Sequence, residues 1–197
     1  MRAMRCRAAI LLLLVSLAGC GFFREAVAPK PTAYTLMVKP WHRYGVLKAD
    51  ITDLLASVDA VYLSCDLQRS MLQYKREAGL ITPLEEQLEE ERLSSMCGAY
   101  HQFLVAIYTK RSDWALLDAE RPYFRVFLKT ERGVRKPDLV KPLELSDDEI
   151  STFYPFVQPW MKVYLIRFGR AGLEGVRRLE LEFASLTGRI TLSWDLR

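Results

Sequence analysis

Residues 50–111 read DITDLLASVDAVYLSCDLQRSMLQYKREAGLITPLEEQLEEERLSSMCGAYHQFLVAIYTKR. Their periodicity decides the fold. Apolar side chains recur at Ile51, Leu54, Leu55, Val58, Val61, Tyr62, Cys65 and Leu72, the three-and-four spacing of one helix face. Asp50 precedes the run as an N-cap, and Asp53 falls in the first turn, where the positive end of the helix dipole favours a carboxylate. Gly79 suits the position just past a helix end. Thr82, Pro83 and Glu85 then supply an N-cap, a first-turn proline and a capping-box partner for a second helix. That helix carries Leu84, Leu88, Met96, Tyr100, Leu104, Ile107 and Tyr108. The spacing predicts an antiparallel helical hairpin over residues 50–111.

With the turn centred near residue 81, Val58 lies level with Leu104 and Cys65 with Cys97. In an oxidising compartment two cysteines so placed predict a Cys65–Cys97 disulfide. The alternative is a pair of buried free thiols packing as small apolar groups. His101 lies one turn beyond Cys97, but a zinc site wants three or four ligands, and the only other histidine, His42, falls far upstream. No metal is expected. The acidic run Glu85, Glu86, Glu89, Glu90 and Glu91 reads as a solvated outer face.

Beyond the hairpin the period changes to two. Residues 123–130 (YFRVFLKT) alternate as a strand, residues 139–145 read as an edge strand demoted by Pro142, and residues 160–168 (WMKVYLIRF) read as an inner strand. At the end of the chain Leu179, Leu181 and Phe183 alternate with polar residues, as do Ile190, Leu192 and Trp194. Thr187 and Gly188 supply the turn between them, and a register that sets Phe183 opposite Ile190 makes every cross-strand pair on the buried face apolar. Residues 34–38 (YTLMV) add an N-terminal strand. The fold class is therefore α+β: a helical hairpin packed on an antiparallel β-sandwich of about six strands.

Residues 1–20 read MRAMRCRAAILLLLVSLAGC. Three arginines, a ten-residue apolar run too short to cross a bilayer, and small residues follow the layout of a secretory signal peptide. The last four, Leu17, Ala18, Gly19 and Cys20, resemble the lipobox of bacterial lipoproteins. The resemblance covers the first twenty residues only. It implies cleavage before Cys20, a diacylglycerol on its thiol and, commonly, an acylated amino group. Gly21 rather than aspartate after the cysteine implies, in a Gram-negative host, the outer membrane facing the periplasm. The other reading is an ordinary signal peptide with a chance cysteine. The expected organisation is a signal peptide at 1–19, a lipid-anchored tether at 20–33 and a single domain at 34–197, with its helical hairpin at 50–111 and its β-rich part at 113–197.

The chain has 197 residues and a formal net charge of +4. Arg2, Arg5 and Arg7 fall in the first nineteen residues with no acid beside them, leaving 25 basic against 24 acidic side chains. No basic stripe remains for nucleic acid. The chain holds no Gly-rich phosphate loop, GxSxG, HExxH or CxxC motif, and neither an enzyme nor a cofactor is expected. The densest unusual stretch, residues 153–160 (FYPFVQPW), packs four aromatics and two prolines into eight positions. It reads either as a plug at one end of the sandwich or as a rigid recognition surface for a protein or a sugar ring, with Tyr154, Phe156 and Trp160 as candidate binding residues. The expected function is a lipid-anchored, non-enzymatic adaptor or scaffold of the cell envelope, held to the membrane by acyl chains and bound to an envelope protein. The alternative is a module binding a cell-wall glycan or a small apolar ligand.

Overall fold

The C-terminal strands follow their alternation residue by residue. In the computed structural model, which describes residues 32–196, β8 (Arg178–Ser185) pairs with β9 (Gly188–Asp195) so that Phe183 faces Ile190, Leu181 faces Leu192 and Leu179 faces Trp194. Gly188 turns the chain at φ 146°, which a side chain would disfavour. On the other side β8 takes β4 (Arg125–Thr130), which carries the short β5 (Gly133–Arg135), giving a four-stranded sheet ordered β5-β4-β8-β9. The second sheet has five strands ordered β1-β2-β3-β7-β6: β1 (His42–Lys48), β2 (Leu54–Tyr62), β3 (Tyr100–Thr109), β7 (Lys162–Gly169) and β6 (Leu139–Pro142). All pairings are antiparallel. As expected, β6 with its Pro142 is an edge strand and β7 is an inner one.

The inner faces of the two sheets meet in one core. Val58, Ala60 and Tyr62 of β2, Phe103, Val105 and Ile107 of β3, and Tyr164, Ile166 and Phe168 of β7 pack on Val126, Leu128, Leu181, Phe183, Leu192 and Trp194. The outer face of the five-stranded sheet, with Val61, Leu104 and Ala106, is covered by Val38, Leu67, Phe153, Tyr154 and Val157. Helices α1 (Cys65–Glu77), α2 (Pro83–Ala99) and α3 (Asp147–Phe153) provide the α component. The α+β class and the helical hairpin on a sandwich stand, with nine strands among the described residues.

The hairpin is shorter than its periodicity suggested. Residues 54–62 and 100–109 are strands, and only 65–99 between them is helical. Both strands are buried on both faces, so nearly every position is apolar or small and the period of two is erased. Asp50 does capture backbone N–H groups, but in a turn: its Oδ1 accepts from the Thr52 and Asp53 amides at 2.8 Å each. The helix cap is Ser64, whose Oγ accepts from Leu67 N at 3.1 Å. Helix α1 ends as expected at Gly79, φ 66°, with Leu80 N donating to Lys75 O and Gly79 N to Arg76 O. The capping box of α2 is present: Glu85 N donates to Thr82 Oγ1, and Thr82 N donates to Glu85 Oε2 at 2.8 Å.

Residues 34–38 correct a second expectation. Tyr34–Val38 is a π-helical turn, not a strand. Its burial recurs at Tyr34, Met37 and Val38, a helical spacing, and Val38 is fully buried on the outer face of the sheet. Residues 1–31, which include the signal peptide, Cys20 and most of the tether, lie outside the described residues.

Candidate functional site

Three strand ends build the most chemically unusual corner of the sandwich. Tyr62 ends β2, His101 stands at the start of β3, and Arg170 follows β7. The three strands are adjacent, and the register sets Tyr62 opposite Phe103 and His101 opposite Phe168. Arg170 is fixed by its backbone N donating to Ala99 O at 2.8 Å and its Nε donating to Tyr100 O at 3.1 Å. Its Nη2 donates to the Tyr62 hydroxyl at 3.1 Å. That hydroxyl lies 3.0 Å from His101 Nδ1.

The proton positions follow from this chain of contacts. Tyr62 Oη accepts from Arg170, so its own hydrogen is free to go to His101 Nδ1, the remaining acceptor beside it. Burial, reinforced by the Arg170 charge, holds the His101 pKa down to about 4, so the ring is neutral at pH 7. Burial raises the Tyr62 hydroxyl above its ordinary value, against the opposing pull of Arg170. A neutral imidazole accepting at Nδ1 carries its hydrogen on Nε2. That atom is buried and has no hydrogen-bond partner among the described residues. His101 as a whole is 4% exposed.

Two cavities open at this corner. One, about 630 Å³, is walled by Tyr62, His101, Arg170, Leu173 and Val176 among others. The other, about 870 Å³, shares Tyr62 and Arg170 and adds Trp41, Cys65 and Trp194. Trp41 and Tyr62 meet edge to face at 5.7 Å, and Trp194 Nε1 donates to Trp41 O at 2.6 Å.

Cys65 opens α1 and Cys97 lies near the end of α2, beside this corner. Both are free thiols, and burial, followed by the neighbouring Cys65 thiol, pushes the Cys97 thiol up to about 11. The structure therefore brings the expected pair together as a dithiol. Among the described residues no group of three or more His, Cys, Asp or Glu is placed to hold a metal ion.

The aromatic loop divides. Tyr154 is 5% exposed under α1, with its hydroxyl toward Met71 Sδ at 3.9 Å. Phe156 is half-buried and stacks on the His42 ring at 4.1 Å. His42 bridges the N-terminal turn and the sheet: its Nδ1 meets Tyr34 Oη at 2.8 Å and its Nε2 meets Asp59 Oδ1 at 2.8 Å. Trp160 alone is displayed, at 66% exposure. The three candidate binding residues thus form no common surface. An apolar row stands elsewhere, on the hairpin: Leu80, Leu84 and Leu88 are 48%, 66% and 57% exposed.

Sequence reasoning named Cys65 and Cys97 but missed Tyr62 and Arg170 as site residues and weighed His101 only for metal. Comparison of the chain with protein-family models, curated proteins and solved structures finds no match.

Proposed function

We propose that the chain is a lipid-anchored protein of the cell envelope whose α+β body acts as an adaptor, docking an envelope protein through its helical hairpin. The membrane half of the reading rests on the lipobox-like Leu17-Ala18-Gly19-Cys20. Two or more acyl chains on Cys20 would hold the body at a lipid surface, where one chain would bind only marginally. Among the described residues no helix is long and apolar enough to cross a membrane.

The adaptor half rests on one observation, the exposed row Leu80, Leu84 and Leu88. Leu84 and Leu88 are one turn apart and share a face of α2. Glu85, Glu89 and Glu91 flank the row with charge, the arrangement of an apolar stripe inside a polar rim. The ligand-binding alternative at residues 154–160 has less behind it, because Trp160 is the one exposed aromatic there.

Two experiments test the halves separately. Cys20→Ser abolishes lipid labelling and moves the protein from the membrane to the soluble fraction; unchanged membrane retention removes the anchor. A photo-crosslinker placed at Leu84 in the full chain gives a discrete adduct in native membranes, and Leu88→Glu abolishes it. No adduct, or one indifferent to Leu88→Glu, removes the adaptor reading.

A further inference from the structure

We propose that the cavity at the Tyr62–His101–Arg170 corner is a binding site for a small molecule that carries a carboxylate on an apolar body. This site is independent of the anchor and of the hairpin row.

The donors fit that chemistry. Arg170 spends Nε on Tyr100 O and one Nη2 hydrogen on Tyr62 Oη. Among the described residues its Nη1 hydrogens and the second Nη2 hydrogen have no protein acceptor, and no carboxylate of those residues lies within ion-pair distance of it. His101 Nε2–H is a second donor without an acceptor, on a side chain almost wholly buried. A buried donor left unpaired costs about 1–3 kcal/mol, so the corner is incomplete as it stands. An anionic oxygen in the cavity supplies what Arg170 lacks, and the His101 ring, which lines the same cavity, lies beside it. A guanidinium takes a carboxylate through parallel N–H donors, and a neutral N–H adds a direction without adding charge.

The cavity supplies the rest of the selectivity. Its volume, about 630 Å³, is in the range that holds small organic ligands. Leu173 and Val176 line it with apolar surface, and Trp41 and Trp194 continue that surface into the neighbouring cavity. Glu174 also reaches the wall, but its carboxylate accepts from Gly172 N at 3.0 Å and lies 3.7 Å from Arg132 Nη1, so its charge is turned to other partners. Asp66 and Asp195 border the second cavity, both on its exposed rim. A carboxylate is therefore drawn to the Arg170 side and its apolar body toward the leucine, valine and indole surfaces.

The probes are benzoate, phenylacetate and hexanoate, with benzyl alcohol as the neutral control, added to the full chain in non-ionic detergent. The chain has two histidines, so two-dimensional imidazole ¹⁵N spectra resolve His101, assigned by its loss in His101→Phe. Before addition its Nε2 is protonated and its Nδ1 is not. At least one carboxylate shifts the Nε2 resonance at pH 7, while benzyl alcohol binds about tenfold more weakly or not at all. Arg170→Gln weakens carboxylate binding about tenfold, Arg170→Lys less, and neither changes the far-ultraviolet circular dichroism. The proposal falls if no carboxylate moves His101 Nε2 even at roughly 10 mM, where a millimolar site would be mostly filled. It also falls if benzyl alcohol and benzoate bind equally, or if Arg170→Gln folds and binds carboxylate undiminished. A water on Nε2 that carboxylates do not displace is the first of these outcomes.

Discussion

Oxidation of the Cys65–Cys97 pair is expected to close a disulfide and stabilise the body. The two thiols give up two electrons and two protons to a disulfide oxidant such as oxidised glutathione, which leaves as two thiols. Cys65 follows directly on β2 and Cys97 closely precedes β3, two strands already hydrogen-bonded in register with Leu63 N donating to Gln102 O at 2.9 Å. The bond therefore restrains a place that the native ladder has fixed, and its effect falls on the unfolded chain. A closed loop of about thirty residues gives roughly 3–4 kcal/mol by chain entropy. For a body of this size 1 kcal/mol moves Tm by roughly 2–4 °C, so the oxidised form melts roughly 10 °C above the reduced one. Closure is slow at neutral pH, because burial, followed by the neighbouring Cys65 thiol, raises the Cys97 pKa to about 11, and the thiolate is the attacking species. Cys65, the more exposed thiol, is first captured by the oxidant, and Cys97 then displaces it. The closure rate rises by nearly tenfold per pH unit between pH 7 and 9. Non-reducing gels follow closure, and differential scanning fluorimetry follows Tm. A Tm unchanged by complete oxidation refutes the stability argument. Failure of the thiols to close at pH 9 refutes the proximity, and a rate indifferent to pH refutes the role of Cys97.

Two further outcomes follow from the packing of the sandwich. Gly45 of β1 lies over β9 so closely that an added Cβ would stand 2.6 Å from Ile190 Cγ2 and 2.9 Å from Leu192 Cδ2. Strand propensity favours valine over glycine by up to about 1 kcal/mol, yet overpacking costs about 1–3 kcal/mol, and Ile190 Cγ2 sits on its branch carbon and cannot swing away. Gly45→Val therefore destabilises in urea unfolding, and adding Ile190→Ala recovers part of the loss; a stabilised Gly45→Val refutes the close approach. The pH dependence is set in part by His101, whose pKa is about 4 folded against 6.5 unfolded, through burial and then Arg170. As pH falls the unfolded chain takes up this proton first. The contribution is thus complete above pH 6.5 and is lost between 6.5 and 4, by at most roughly 3 kcal/mol. Urea unfolding at pH 7 and pH 5 shows a smaller difference in His101→Phe than in the wild type; an equal difference in the two proteins refutes it.

What was legible in the sequence is what neighbouring residues settle among themselves. The cap at Thr82 is a contact across three residues, and the β8–β9 register follows from two alternating runs around one turn. Strands β2 and β3 were not legible, because burial on both faces removes the alternation that distinguishes a strand from a helix. The antiparallel symmetry around residue 81 was nonetheless sound, since a chain that turns and returns places the same segments side by side whether they coil or extend. Only the register changes: Val58 faces Ile107, not Leu104. That is why Cys65 and Cys97 do meet, although the helix expected to carry the first of them begins only at that residue. The corner at Tyr62, His101 and Arg170 depends on the part that was not legible. Insertion of the helical hairpin between β2 and β3 places the end of one strand beside the start of the next, and β7 then brings Arg170 from 69 residues beyond His101. No local pattern marks such a site. Its sign is an unpaired buried donor, which becomes visible only once the strands are paired and the hydrogen bonds around it are in place.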